Sequence, residues 1–322
     1  MEEGLEILHR KMVILLMALV VVFVFCGAAS AATVKTNQIS TAKINNVGGS
    51  ISQEYPAIDG NRVVWEQSDS SGHYMVYVKN LATGSIALVQ KSKQAQFYPR
   101  ISGNRVVWEQ MDLSGHYVVY VKNLATGSCV NVLKSTLKQA TPDISGTRVV
   151  WTQDSATNNN IYCKNLATGD YGKVQATTQD QDFSGISGTR VVWMQNNGIK
   201  EVVYYKNLAT SEYGKVLPTS TDDQYSPAIS GTRIVWEQFA GTNYVIYYKN
   251  LATGDYGKVL TSTQDQSSPV ISGSRVAWVQ NMGMEGNIYC KNLLTGEYGK
   301  VLPSTEDQQT PGIDGSRSRP VI

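Results

Sequence analysis

The chain has 322 residues, 42% hydrophobic and 17% charged, with a formal net charge of +2. That apolar share is ample for a buried core. The near-neutral charge carries no electrostatic footprint for nucleic acid, so no nucleic-acid partner is expected.

In chain order, Arg10 and Lys11 precede an apolar run from Met12 to Cys26, followed by small residues through Ala31. A charged start, an apolar stretch of secretory length and a small-x-small site predict a signal peptide over 1–31. The other reading is a retained anchor, for which the stretch is short. Any membrane contact then runs through this segment alone, if it is uncleaved. Phe25 stands where a lipobox before Cys26 would want a small residue. The expected location is secreted or on the cell surface. Residues 32–54 form an N-terminal extension in which 41–44 (Thr-Ala-Lys-Ile) resembles a closing fourth strand.

From 55 to 302 one unit recurs six times, 42 or 43 residues apart. It reads Ile-Ser/Asp-Gly-x-Arg-Val/Ile-Val/Ala-Trp-x-Gln, then a variable stretch, then Tyr-x-Lys-Asn-Leu-x-Thr-Gly. Its tryptophans are Trp65, Trp108, Trp151, Trp193, Trp236 and Trp278, the only ones in the chain. A period in this range with four strand-like segments predicts an all-β β-propeller of six four-stranded blades. In the fifth unit the expected strands are 227–230, 233–238, 244–251 and 256–260. The two middle strands are apolar on both faces, as expected for a sheet covered on both sides. The tryptophans are therefore read as wedges between blades, with exposed sugar-stacking platforms as the rival reading. The recurring Arg, Gln and Lys-Asn serve every blade alike and are read as structural.

Residues 303–322 start a seventh unit in phase, which fails at Pro320, where Trp is due. Seven blades with an incomplete last one is the alternative closure. Cys163 and Cys290 occupy one repeat position in units three and six, too far apart across a ring to bridge. They are read as small buried residues, and no disulfide framework is expected.

The pattern Pro-x-Ile-Ser-Gly-x-Arg-Val-Val-Trp, Ile-Tyr-x-Lys-Asn-Leu-Ala-Thr-Gly and Asp-Gln-x-x-Pro resembles TolB-like propeller repeats. It is most similar to those of archaeal cell-surface propellers of the Methanosarcina type, over about residues 40–317. The resemblance implies a surface or secreted protein. This chain departs from the broader TolB pattern in using Ser-Gly where Pro-Asp-Gly is common.

His73 and His116 stand at equivalent positions in adjacent units. The third histidine, His9, falls in the expected signal peptide, and with no further His or carboxylate cluster beside them the two do not make a metal site, so no metal or cofactor is expected. The Asp-Gln runs at 178–181, 221–224, 263–266 and 305–308 are read as structural, with calcium or sugar binding as the sharper rival. Units differ most between strands two and three, where binding is usually built. The candidates on that rim are His73, Tyr74, Met111, His116, Tyr117, Phe239, Tyr244, Met282 and Met284. No catalytic residue is singled out, and the balance is against an enzyme. The expected role is a binding or structural module for a surface protein or an envelope glycan. The alternatives are a polysaccharide lyase or hydrolase on a TolB-like scaffold and a multivalent lectin.

Overall fold

A computed structural model describes residues 53–155, 157–282, 285–301 and 311–314. The expected signal peptide, the 41–44 strand, Met284, Pro320 and the 305–308 run lie outside the described residues. So does the side chain of Met282.

The fold is an all-β, six-bladed β-propeller. Its blades span 53–88, 96–131, 139–173, 181–215, 224–258 and 266–300, each a four-stranded antiparallel sheet in sequence order. In blade five the strands are Gln224–Ser230, Arg233–Phe239, Tyr244–Asn250 and Tyr256–Lys258. The first strand is thus longer than expected and the fourth shorter. Blade one likewise begins at Gln53, two residues ahead of the expected boundary. First strands of consecutive blades pack on one another, which places them at the axis.

Each first strand carries a bulge whose residue has positive φ: Tyr55, Tyr98, Thr141, Phe183, Ser226 and Ser268, at 47–53°. The register of the first pair slips there, as between Tyr225 and Ala228. A bulge breaks simple alternation, so the residues ahead of it do not look like strand in the sequence.

The tryptophans fill the wedges. Trp108 is fully buried among Val64, Val76 and Val89 of blade one, and Trp151, Trp193, Trp236 and Trp278 repeat this at later joins. Each indole also stacks on a tyrosine of its own blade, with centroids 5.8–6.1 Å apart. In blades one to five its Nε1 donates to the glutamine two residues on. Platforms for sugars they are not.

Polar ties run across the joins as well. The glutamine that opens the first strand is fully buried at Gln96, Gln139, Gln181, Gln224 and Gln266. Its Oε1 accepts an N–H from the previous blade, such as Val203 N to Gln224 at 2.9 Å, and its Nε2 donates to the glutamine after Trp. The repeated lysine reaches back too: Lys122 Nζ donates to Val89 O at 2.6 Å. The repeated Asn caps its own turn, as Asn250 does for Ala252 N. A Ser or Asp of one unit accepts the turn-glycine N–H of the next, as Ser187 does from Gly231 at 2.9 Å.

The last of these ties recurs between the first blade and the segment 311–314. Asp314 Oδ2 accepts Gly60 N–H at 2.8 Å, while Ile313 packs on the cluster of blade six. Residues 311–314 therefore lie at the seam between blades six and one, and among the described residues these two blades do not pack as neighbours do. Among the described residues the free cysteines are Cys129 and Cys163, half-buried, and Cys290, buried. Burial pushes the Cys163 thiol up to about 11, so it is inert.

Candidate binding site on the aromatic rim

The turns between strands two and three, the connections to the next blade and the starts of the first strands all lie on one rim. The register fixes this: the start of each first strand pairs with the end of the second. Backbone bonds join turn and connection directly, as Asp154 N to Lys138 O at 2.9 Å.

On this rim blades one and two bring together five rings. Tyr74 packs on Phe97 with centroids 5.5 Å apart, and Tyr117 meets the same ring edge-on at 6.0 Å. Phe97 neighbours Tyr98, which lies 4.6 Å from Tyr55 in a T-shaped contact. Tyr74 Oη donates to Glu54 Oε1 at 3.1 Å, which orients the ring. All five rings are partly exposed. Tyr74 and Tyr117 were expected here, whereas Tyr55, Phe97 and Tyr98 were not. The signal for them was the pair after each first-strand glutamine, which changes from unit to unit: Glu54-Tyr55, Phe97-Tyr98, Ala140-Thr141, Asp182-Phe183, Tyr225-Ser226 and Ser267-Ser268.

A smaller cluster stands on blade five, where Tyr244 meets Phe239 at 5.4 Å and Tyr225 at 6.0 Å. The other candidates are scattered. Met111 ends the second strand of blade two, opposite Tyr117. Met282 ends that of blade six. His73 is half-buried, with Nδ1 3.9 Å from Asp69 Oδ2, and His116 is exposed. Each histidine belongs to a turn whose Asp accepts its backbone N–H. The hydrogen bonds of Ser71 and His73 hold the Asp69 carboxyl below its usual range, and that of His116 does the same for Asp112. Among the described residues no three His, Cys, Asp or Glu side chains are grouped to hold a metal.

Beneath the rings lie two buried carboxyls. Glu66 Oε2 accepts Tyr98 N–H at 2.6 Å, and Glu109 accepts Thr141 N–H, each across a blade join. Burial pushes both up to about 7. Their proximity to Arg100 works the other way. In blade five Glu237 makes the same tie to Ser268 N at 2.7 Å. These carboxyls hold bulges in place and are not free to meet a ligand.

No family model matches the chain, and no curated protein does. Solved structures do. TolB from Acinetobacter baumannii aligns with a TM-score of 0.53 at 14% identity, covering 81% of this chain and 82% of that one. The fold is that of the TolB-like β-propellers. A prolyl endopeptidase aligns with a TM-score of 0.61 at 16% identity over 78% of this chain, but the chain spans only 42% of that enzyme. An oligogalacturonate lyase solved in complex with manganese aligns with a TM-score of 0.55 at 13% identity, over 75% of this chain and 74% of that one. At these identities the likeness concerns the fold, on which many unrelated activities are built.

Proposed function

We propose that this chain is a secreted or cell-surface binding module, whose ligand lies across the aromatic rim of blades one and two. The observation that supports it is the run of five rings from Tyr55 to Tyr117 across one blade join. The recurring Trp, Gln, Lys and Asn are used by the framework, and this run is a departure from the repeat. Partly exposed aromatic faces on a rigid scaffold suit an envelope glycan or an anchor residue of a surface protein. The resemblance to archaeal cell-surface propellers supports the location.

The lyase or hydrolase alternative needs both histidines to converge with acids at the channel mouth, and among the described residues neither belongs to a group of three His, Cys, Asp or Glu side chains. A multivalent lectin needs one like site per blade, and the five-ring run stands at one join. A glycan array probed with the full chain tests the proposal. Phe97→Ala and Tyr117→Ala are expected to lower the signal about tenfold or more, and Phe239→Ala less than about twofold. Equal binding by all three variants and wild type sinks it.

A further inference from the structure

We infer that the ligand of this rim is an acidic saccharide, an inference that rests on the binding-module reading above. In blades three to five the strand-three turn is braced by an aspartate from the next connection. Asp180 accepts Asn159 N–H, Asp223 accepts Glu201 N–H and Asp265 accepts Tyr244 N–H, all at 2.8–2.9 Å. The first two connections give up this brace. They place Ala95 and Lys138 at the equivalent positions and add Lys91, Lys93 and Lys134.

All four lysines are exposed, and none forms an ion pair among the described residues. Contrast the repeated lysines of the third strands, whose ammonium groups are held by backbone carbonyls. Lys138 stands beside Asp154, whose backbone N–H its carbonyl accepts at 2.9 Å, and near Glu109, while the acids of blades one and two on this rim are hydrogen-bonded already. Asp69 and Asp112 cap their own turns, Glu54 accepts the Tyr74 hydroxyl, and Glu66 and Glu109 hold bulge amides. The rest of the rim is mainly acidic, with Asp154, Asp180, Asp182, Glu201, Asp222, Asp223 and Asp265 against Lys200 over blades three to six. A basic arc therefore flanks the five-ring run and stops where the run stops.

Rings supply faces for pyranose C–H groups, and mobile ammonium groups suit carboxylates or sulfates spaced along a chain. An acidic protein segment would need the lysines but not five clustered, partly exposed rings, so the saccharide is favoured.

The test is calorimetric titration of the full chain with alginate, hyaluronan and heparan sulfate oligosaccharides, with chitohexaose and maltohexaose as neutral probes and poly-glutamate as the protein-like one. At least one acidic saccharide is expected to bind about tenfold or more tightly than either neutral one, and to weaken by about tenfold between roughly 50 and 500 mM salt. Lys91→Glu with Lys134→Glu is expected to cost about tenfold in affinity without a change in melting temperature. Neutral probes binding equally well, or no loss in the lysine variant, overturn the inference while the Phe97→Ala loss keeps the binding reading standing. Poly-glutamate binding as tightly as the saccharides overturns it in favour of an acidic protein. No binding to any probe, together with no effect of Phe97→Ala on the glycan array, counts against both.

Discussion

Gln224 has no exposed surface, and both ends of its amide are used: Oε1 by Val203 N–H and Nε2 by Gln238. Leucine fits the volume but leaves a buried N–H from the neighbouring blade without an acceptor. Gln224→Leu is therefore expected to cost about 2–4 kcal/mol in urea denaturation. A loss below about 0.5 kcal/mol would mean that the tie is incidental. Glu66 and Glu109 show the opposite balance, because each is buried as an acid. Unfolded, they titrate near 4.5, and in the ring near 7. The folded chain thus binds these protons more tightly. Their contribution to stability is full below about pH 4.5 and is lost as the pH rises through about 7. Glu66→Gln with Glu109→Gln keeps both acceptors and removes the charges. Relative to this variant, wild type is expected to lose on the order of 2–4 kcal/mol between about pH 5 and 8. Parallel pH curves for the two proteins would contradict it.

At the level of strands and blades, the readable parts were those where one physical demand dominates. The Arg-Val-Val-Trp run had to be a central strand, since both faces are buried and the indole needs a wedge. The first strand was legible only from its proline onward. Its leading half holds a polar glutamine and a residue with positive φ, and neither looks like strand in a single sequence. The site failed to show for a related reason. Tyr74 meets Phe97 because the third strand of one blade packs on the first strand of the next. The variable turn makes Tyr74 visible, while Phe97 falls in a stretch that reads as a connection. The bulge itself is testable. Ser268 has φ of 53°, and its N–H, not its side chain, holds Glu237. Ser268→Gly is expected to raise stability by about 0.5–1 kcal/mol, since glycine relieves the strain but loses more chain entropy on folding. A destabilised variant would show that the bulge residue stores no strain.

For the molecule as a whole, the tie between Asp314 and Gly60 is the point at which the two ends of the ring are joined among the described residues. Asp314→Ala is expected to cost about 1–2 kcal/mol by thermal or chemical unfolding, at least as much as Ser187→Ala at an internal join. An unchanged melting temperature would mean the seam is held by other contacts. The wedge clusters have a further consequence, for the order of events during synthesis. The apolar face of each blade stays uncovered until the tryptophan of the next has been made, some forty residues later. No blade can therefore finish folding alone as the chain emerges. Each waits one unit, and the joint with Gly60, the earliest turn in the ring, waits for Asp314. The growing chain carries one incomplete face forward at every stage, and that face is where a ribosome-bound intermediate would meet chaperones or a neighbouring nascent chain.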